Sequence, residues 1–152
     1  FTLQHIQQSK KQTKKTIMRE KFVKDLETGK VYENKALELI QKKYPKAFIQ
    51  DGYFLEWDIY IPELDMGVEV KSDAQYKKTG NFYVEYECNG KPSGIAATKS
   101  KYYYIYLDKL YILKTEDLKD KCRKYLNTKK DKKGGDNMAS KGIIIPIHEL
   151  WK

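Results

Sequence analysis

The chain has 152 residues, 40% apolar and 34% charged, which is enough length for one domain with a core and leaves no apolar run near the ~20 residues of a membrane span. The N-terminus lacks an apolar signal core, so neither secretory targeting nor a membrane partner is expected; the start at Phe1 rather than Met reads as that of a trimmed chain. A net charge of +9 points to a polyanionic partner, unless the lysine richness is only a compositional bias.

The cations are nearly all lysine, with Arg19 and Arg123 as the exceptions. Lysine is a point-charge binder of phosphate, not a bidentate reader of bases, which favours backbone contact over sequence readout. Cys88 and Cys122 lie far apart and read as free thiols in a reducing, intracellular compartment. His5 and His148 sit near opposite ends, and no Cys/His cluster suggests zinc.

Residues 1 to 24 form a basic lead-in carrying Lys10, Lys11, Lys14, Lys15, Arg19, Lys21 and Lys24. It is either an arm for nucleic-acid phosphates or a solvated terminus, ahead of a domain spanning 25–152. Thr28 and Gly29 mark a turn, and residues 31–44 are predicted to be a helix ended by Pro45. Glu33, Leu37, Ile40 and Tyr44 make one stripe of that helix, facing the core. Glu33 is therefore either a carboxylate turned inward toward a cation or metal, or a first-turn residue favoured by the helix dipole.

Trp57 to Asp73 read as two short strands joined by a turn at Pro62 to Gly67. Side chains alternate along a strand, so Trp57, Ile59 and Ile61 share one face and Asp58 and Tyr60 the other; Val68 and Val70 likewise oppose Glu69 and Lys71. With Ile61 opposite Val68, Tyr60 faces Glu69 and Asp58 faces Lys71, which gathers Asp58, Glu69 and Lys71 on one side. Two carboxylates suit a hard cation such as Mg²⁺, and the lysine can orient a water or offset phosphate charge. The plainer reading is a salt bridge on a solvated sheet face, worth at most ~1 kcal/mol.

Asp58, separated by ten residues from Glu69-Val70-Lys71 on a hairpin after an acidic helix, resembles the PD-(D/E)xK nucleases of the restriction-endonuclease-like fold. The resemblance covers roughly residues 29 to 108; Trp57 stands where the family's name has a proline. It implies a Mg²⁺- or Mn²⁺-dependent DNA endonuclease leaving 5′-phosphate and 3′-hydroxyl ends. Asp58, Glu69 and the Val70 carbonyl would ligate the metal, Lys71 would position the attacking water, and Glu33 would match the family's helix glutamate, holding a second metal or orienting Lys71. The run NFYVEYE…GKPSGIAATKSKYYYIY also looks like a segment of phage-type members, which implies phage or viral origin.

Ser72 to Asn81 is predicted to be a loop facing DNA. Residues 82–88 alternate as a third strand which, if it lies beside the second, brings Glu85 near the metal or pairs it with a lysine across the strands. Asn89 to Gly94 is a loop, and Ser93 is placed to cap a short helix from Ile95 to Lys101. Lys91, Ser93, Thr98 and Lys99 are the candidate DNA contacts; a capped turn with surface lysines is the alternative. Tyr102 to Leu107 suits a central strand covered on both faces, and Leu110 to Leu113 returns as another. Thr115 is expected to cap a helix whose core stripe is Leu118, Cys122, Tyr125 and Leu126. Asn127 to Lys141 reads as a basic loop with Lys129, Lys130, Lys132 and Lys133, and Ile143 to Ile147 as a last strand placed at an edge by Pro146.

The expected architecture is α/β, a mixed sheet of about six strands flanked by helices, with a restriction-endonuclease-like core. Two rivals accompany the nuclease reading: a non-catalytic basic nucleic-acid-binding module, and a Holliday-junction resolvase, which requires a homodimer to cut two strands symmetrically.

Overall fold

The computed structural model describes residues 3–134 and 138–151. It is a mixed α/β protein with three α-helices and two sheets among these residues. The chain divides into two units, residues 1–31 and 32–152. Helix α1, Leu3–Gln41, supplies the first unit and continues into the second.

The expected turn at Thr28–Gly29 is absent, because α1 runs through it. A Cβ added at Gly29 would meet nothing within 4 Å. Thr28 folds its hydroxyl back onto the Lys24 carbonyl at 3.0 Å. A glycine in a helix interior costs ~1 kcal/mol, too little to stop a helix built mainly from Lys, Glu, Leu and Gln. In the first unit the described side chains are mostly exposed, including Ile17, Val23 and Leu26.

In the second unit, β1 (Phe48–Ile49), β2 (Ile59–Ile61), β3 (Met66–Ser72), β6 (Tyr102–Tyr106) and β7 (Leu110–Lys114) form a five-stranded sheet in the order β1-β2-β3-β6-β7. Strands β3 and β6 run parallel and the other neighbours antiparallel. A separate four-stranded antiparallel sheet has the order β5-β4-β9-β8, made of β4 (Asn81–Cys88), β5 (Lys91–Pro92), β8 (Asp131–Gly134) and β9 (Ser140–Pro146). The expected single sheet of six strands is thus two sheets. Residues 82–88 lie in the second of them and not beside β3. Part of the expected 127–141 loop is β8, and β9 is an interior strand that places Pro146 at its last position, where the missing N–H costs little.

Strand β6 is covered on both faces, as its aromatic run suggests. Tyr103 and Ile105 join one core with Phe82, Val84, Ile143 and Ile145 of the second sheet and Leu118 and Cys122 of α3 (Thr115–Tyr125). Tyr102, Tyr104 and Tyr106 pack on the other core, with Val68 and Val70 of β3 and Ala36 and Ile40 of α1. The five-stranded sheet is therefore a middle layer, and each face buries one alternate set of side chains. Thr115 opens α3 without capping it, since Lys114 occupies the cap position with no side-chain bond; Leu126 is exposed, outside the stripe. The expected helix from Ile95 to Lys101 is only a 3-10 turn at Gly94–Ala96, and the stretch 72–81 holds one helical turn, α2 (Tyr76–Thr79).

Candidate acid-pair site on the central hairpin

Strand β3 builds the site because its alternation divides two environments. Val68 and Val70 go down onto α1, so Glu69 goes up toward the second sheet, and Lys71 follows on the same face two residues on. The β2–β3 register pairs Ile59 with Val68, Tyr60 with Gly67 and Ile61 with Met66. That differs by two residues from the expected pairing of Ile61 with Val68. A two-residue slip keeps every side chain on its face, where a one-residue slip would reverse them all. It moves Asp58 away from Lys71 and up to Glu69.

Asp58 lies just before β2 and is bound to β3 on either side of Glu69. Its amide donates to the Val68 carbonyl at 3.0 Å, and its Oδ2 accepts from the Val70 amide at 2.8 Å. The Asp58 carboxylate is near enough to Glu69 to act on it both by its charge and by hydrogen bonding. Lys71 Nζ stands 3.8 Å from Glu69 Oε2, with its side chain 44% exposed.

Glu69 is only 6% exposed. Its Oε1 lies 2.9 Å from the Thr98 hydroxyl and 3.4 Å from that of Ser100, and both hydroxyls also reach the Glu56 carbonyl, at 3.0 and 3.1 Å. Two hydroxyl protons thus serve two acceptors. Burial raises the Glu69 pKa to about 7, helped by the Asp58 charge and opposed by Lys71 and the Thr98 bond. A buried carboxyl whose charge is further opposed by a neighbouring carboxylate is a group that a bound cation would relieve.

The pair fits a hard divalent cation. One oxygen of each carboxylate is anchored by the protein, Oδ2 by the Val70 amide and Oε1 by the hydroxyls, while Oε2 of Glu69 faces Lys71. Among the described residues no three His, Cys, Asp or Glu side chains form a ready metal cluster, so any cation there would draw its remaining ligands from backbone, water or substrate.

The other sequence candidates are dispersed. Glu33 is half-buried on α1, the helix that covers the Val68–Val70 side of the sheet, opposite Glu69. Glu85 accepts from the Ser93 hydroxyl at 3.0 Å and lines an inter-sheet cavity of about 340 Å³ together with Lys71 and Tyr103. Ser93 and Thr98 are both buried, and each hydroxyl is turned onto a carboxylate, not outward as a capping group or a phosphate contact would be. Lys99 is exposed and pairs with Glu56 at 3.3 Å; Lys91 is exposed on β5. Gly94 is forced by this packing: its φ is +50°, and a Cβ there would stand 2.2 Å from the Glu85 carbonyl oxygen.

Trp57 does not share a face with Ile59 and Ile61. It precedes β2 and turns over Gly67, where an added Cβ would stand 2.6 Å from Trp57 Cβ. Its ring continues an aromatic row through Tyr60 and Phe54, at 5.0 and 4.9 Å between centroids, beside the 91% exposed Tyr53.

One participant escapes the sequence pattern, Tyr103; Ser100, whose hydroxyl is legible beside Thr98 and Lys99 as a group suited to phosphate, instead shares Glu69 with Thr98. Tyr103 is the direct β6 partner of Glu69 in the parallel ladder, is 1% exposed, and has a hydroxyl with no hydrogen-bond partner among the described residues. Burial, then the Glu69 charge, pushes its phenol above the ordinary tyrosine value. No local sequence signal marks it, because its aromatic run reads as core.

The chain matches no protein-family model, no curated protein and no solved structure. No helix among the described residues is long and apolar enough to cross a membrane.

Proposed function

We propose that the protein is a metal-dependent DNA endonuclease of the PD-(D/E)xK type, hydrolysing phosphodiester bonds to 5′-phosphate and 3′-hydroxyl ends. The observation that carries this reading is the convergence of Asp58 and Glu69 at one point of the sheet, with the Lys71 ammonium 3.8 Å from Glu69. The resemblance in the D…ExK spacing supports it, and so does the lysine-rich net charge of +9, which suits a phosphate backbone.

Asp58 and Glu69, with the carbonyl of Val70, the residue after Glu69, would hold Mg²⁺ or Mn²⁺. A divalent ion bound there supplies a Lewis acid for the phosphate and lowers the pKa of a water. The residues do the rest. The Val70 amide and the Thr98 and Ser100 hydroxyls fix the carboxylate orientations, so no reorganisation is needed when charge develops. Lys71 is long and partly exposed, and places its ammonium where it can orient the attacking water and offset negative charge on the phosphorane. The water oxygen bonds to phosphorus and gives a proton to solvent as the P–O3′ bond breaks, and the departing 3′ oxygen is protonated from solvent.

Cleavage of supercoiled plasmid and of branched DNA in Mg²⁺, with and without chelator, tests the reading. Chelator should abolish cutting and Lys71→Ala should reduce it at least 100-fold; undiminished cutting by Lys71→Ala removes the mechanism.

A further inference from the structure

We propose that the Tyr103 phenol is an additional positioning group of this site, donating a hydrogen bond to the oxygen, of water or of phosphate, that lies between the acid pair and Lys71. The inference rests on the acid pair being a cation-dependent phosphodiester site.

Four observations carry it. Tyr103 is 1% exposed, and its hydroxyl has no hydrogen-bond partner among the described residues. A buried hydroxyl left unpaired costs ~1–3 kcal/mol, which a partner from outside the chain would relieve. Its position is also fixed: the parallel ladder sets Tyr103 directly beside Glu69, and Lys71 beside Ile105, so the phenol and the acid pair occupy the same face of adjacent strands.

Third, Tyr103 and Lys71 both line the inter-sheet cavity of about 340 Å³, which is roomy enough for several waters or a phosphate group. Fourth, the other polar lining groups are already engaged. Glu85 takes the Ser93 hydroxyl, and Ser140 and Tyr83 bond each other at 2.8 Å. Of the named lining groups, the phenol is the one with neither a hydrogen bond nor an ion pair among the described residues. A neutral phenol beside two carboxylates suits this task because it donates without adding a charge that would compete with a cation.

Tyr103→Phe tests the inference because it deletes one oxygen that has no partner among the described residues and leaves the ring packing intact. The expected result is that kcat for plasmid cleavage in Mg²⁺ falls 10- to 100-fold, KM for DNA stays within two-fold, and the metal-free melting temperature is unchanged or higher. A kcat within two-fold of wild type overturns the inference, as does a melting temperature lowered by several degrees, which would show a structural partner for the hydroxyl.

A second readout does not depend on cutting. In protein labelled with 3-fluorotyrosine, with the Tyr103 signal assigned by its loss in Tyr103→Phe, Mg²⁺ should shift that signal in wild type and not in Asp58→Asn. Should the wild-type protein cut no DNA yet show this shift, the nuclease reading fails and the place of Tyr103 beside the bound ion stands. No shift in wild type overturns the inference.

Discussion

The Val70 amide donates to Oδ2 of Asp58 at 2.8 Å, and this bond, with that from the Asp58 amide to the Val68 carbonyl, locks a residue outside any strand beside Glu69. Strand β2 starts only at Ile59, so the carboxylate takes the place of a ladder acceptor for β3. Asp58→Ala removes both the acceptor and half of the acid pair, while Asp58→Asn keeps an acceptor. Cleavage should be lost in both, and urea unfolding should show Ala less stable than Asn by ~1 kcal/mol.

Thr98 is expected to act through Glu69. Thr98→Val keeps the shape and removes the donor at 2.9 Å, leaving Ser100 at 3.4 Å as the remaining hydroxyl. Loss of that bond should raise the Glu69 pKa further, and destabilise the protein by ~1–2 kcal/mol because a buried acceptor is left poorly satisfied. Ser100→Ala should have the same sign and a smaller effect. Chemical denaturation at neutral pH measures both.

The stability of the metal-free protein should fall as pH rises. The folded-state pKa of Glu69, about 7, lies above its ordinary 4.5, so between those values folding takes up a proton. Stability from this group is full below the lower value and is lost as pH rises through the upper one, by on the order of 3 kcal/mol. Asp58→Asn removes a charge that raises the Glu69 value and should flatten the slope. Urea midpoints at about pH 5.5 and 8 read this directly. The same linkage makes binding of a divalent ion near pH 6 release a proton, detectable as a buffer-dependent heat.

Two glycines are expected to resist alanine. Gly94→Ala combines a φ of +50° with a Cβ 2.2 Å from the Glu85 carbonyl, and should cost on the order of 3 kcal/mol. Gly67→Ala meets Trp57 Cβ at 2.6 Å and should displace the indole, giving a red shift in tryptophan emission along with a loss of ~2 kcal/mol. Gly29→Ala, with open space around it in α1, should instead be neutral or stabilising.

Much of the site is legible in the period-two alternation of the sequence. Alternation puts Asp58, Glu69 and Lys71 on one face, and that parity holds despite the two-residue difference in register because slips of two do not reverse faces. It also separates the two faces of β6. What local pattern cannot hold is partnership between distant segments. Residues 82–88 read correctly as a strand, but whether they pair with β3 or with β9 depends on tertiary closure, and they pair with β9. Thr98 and Ser100 lie 29 and 31 residues from Glu69, and no spacing rule connects them. The helix through Gly29 and the collapse of the expected 95–101 helix to one 3-10 turn are both cases where context outweighs a local signal.

The central claim is that Asp58 and Glu69 together hold a divalent cation, and titration of metal-free protein with Mn²⁺ by calorimetry tests it most directly. Wild type should bind one equivalent, tighter at pH 8 than at pH 6, and Asp58→Asn should weaken binding at least 10-fold. Mn²⁺ binding that is absent, or that is the same in Asp58→Asn as in wild type, would contradict the account.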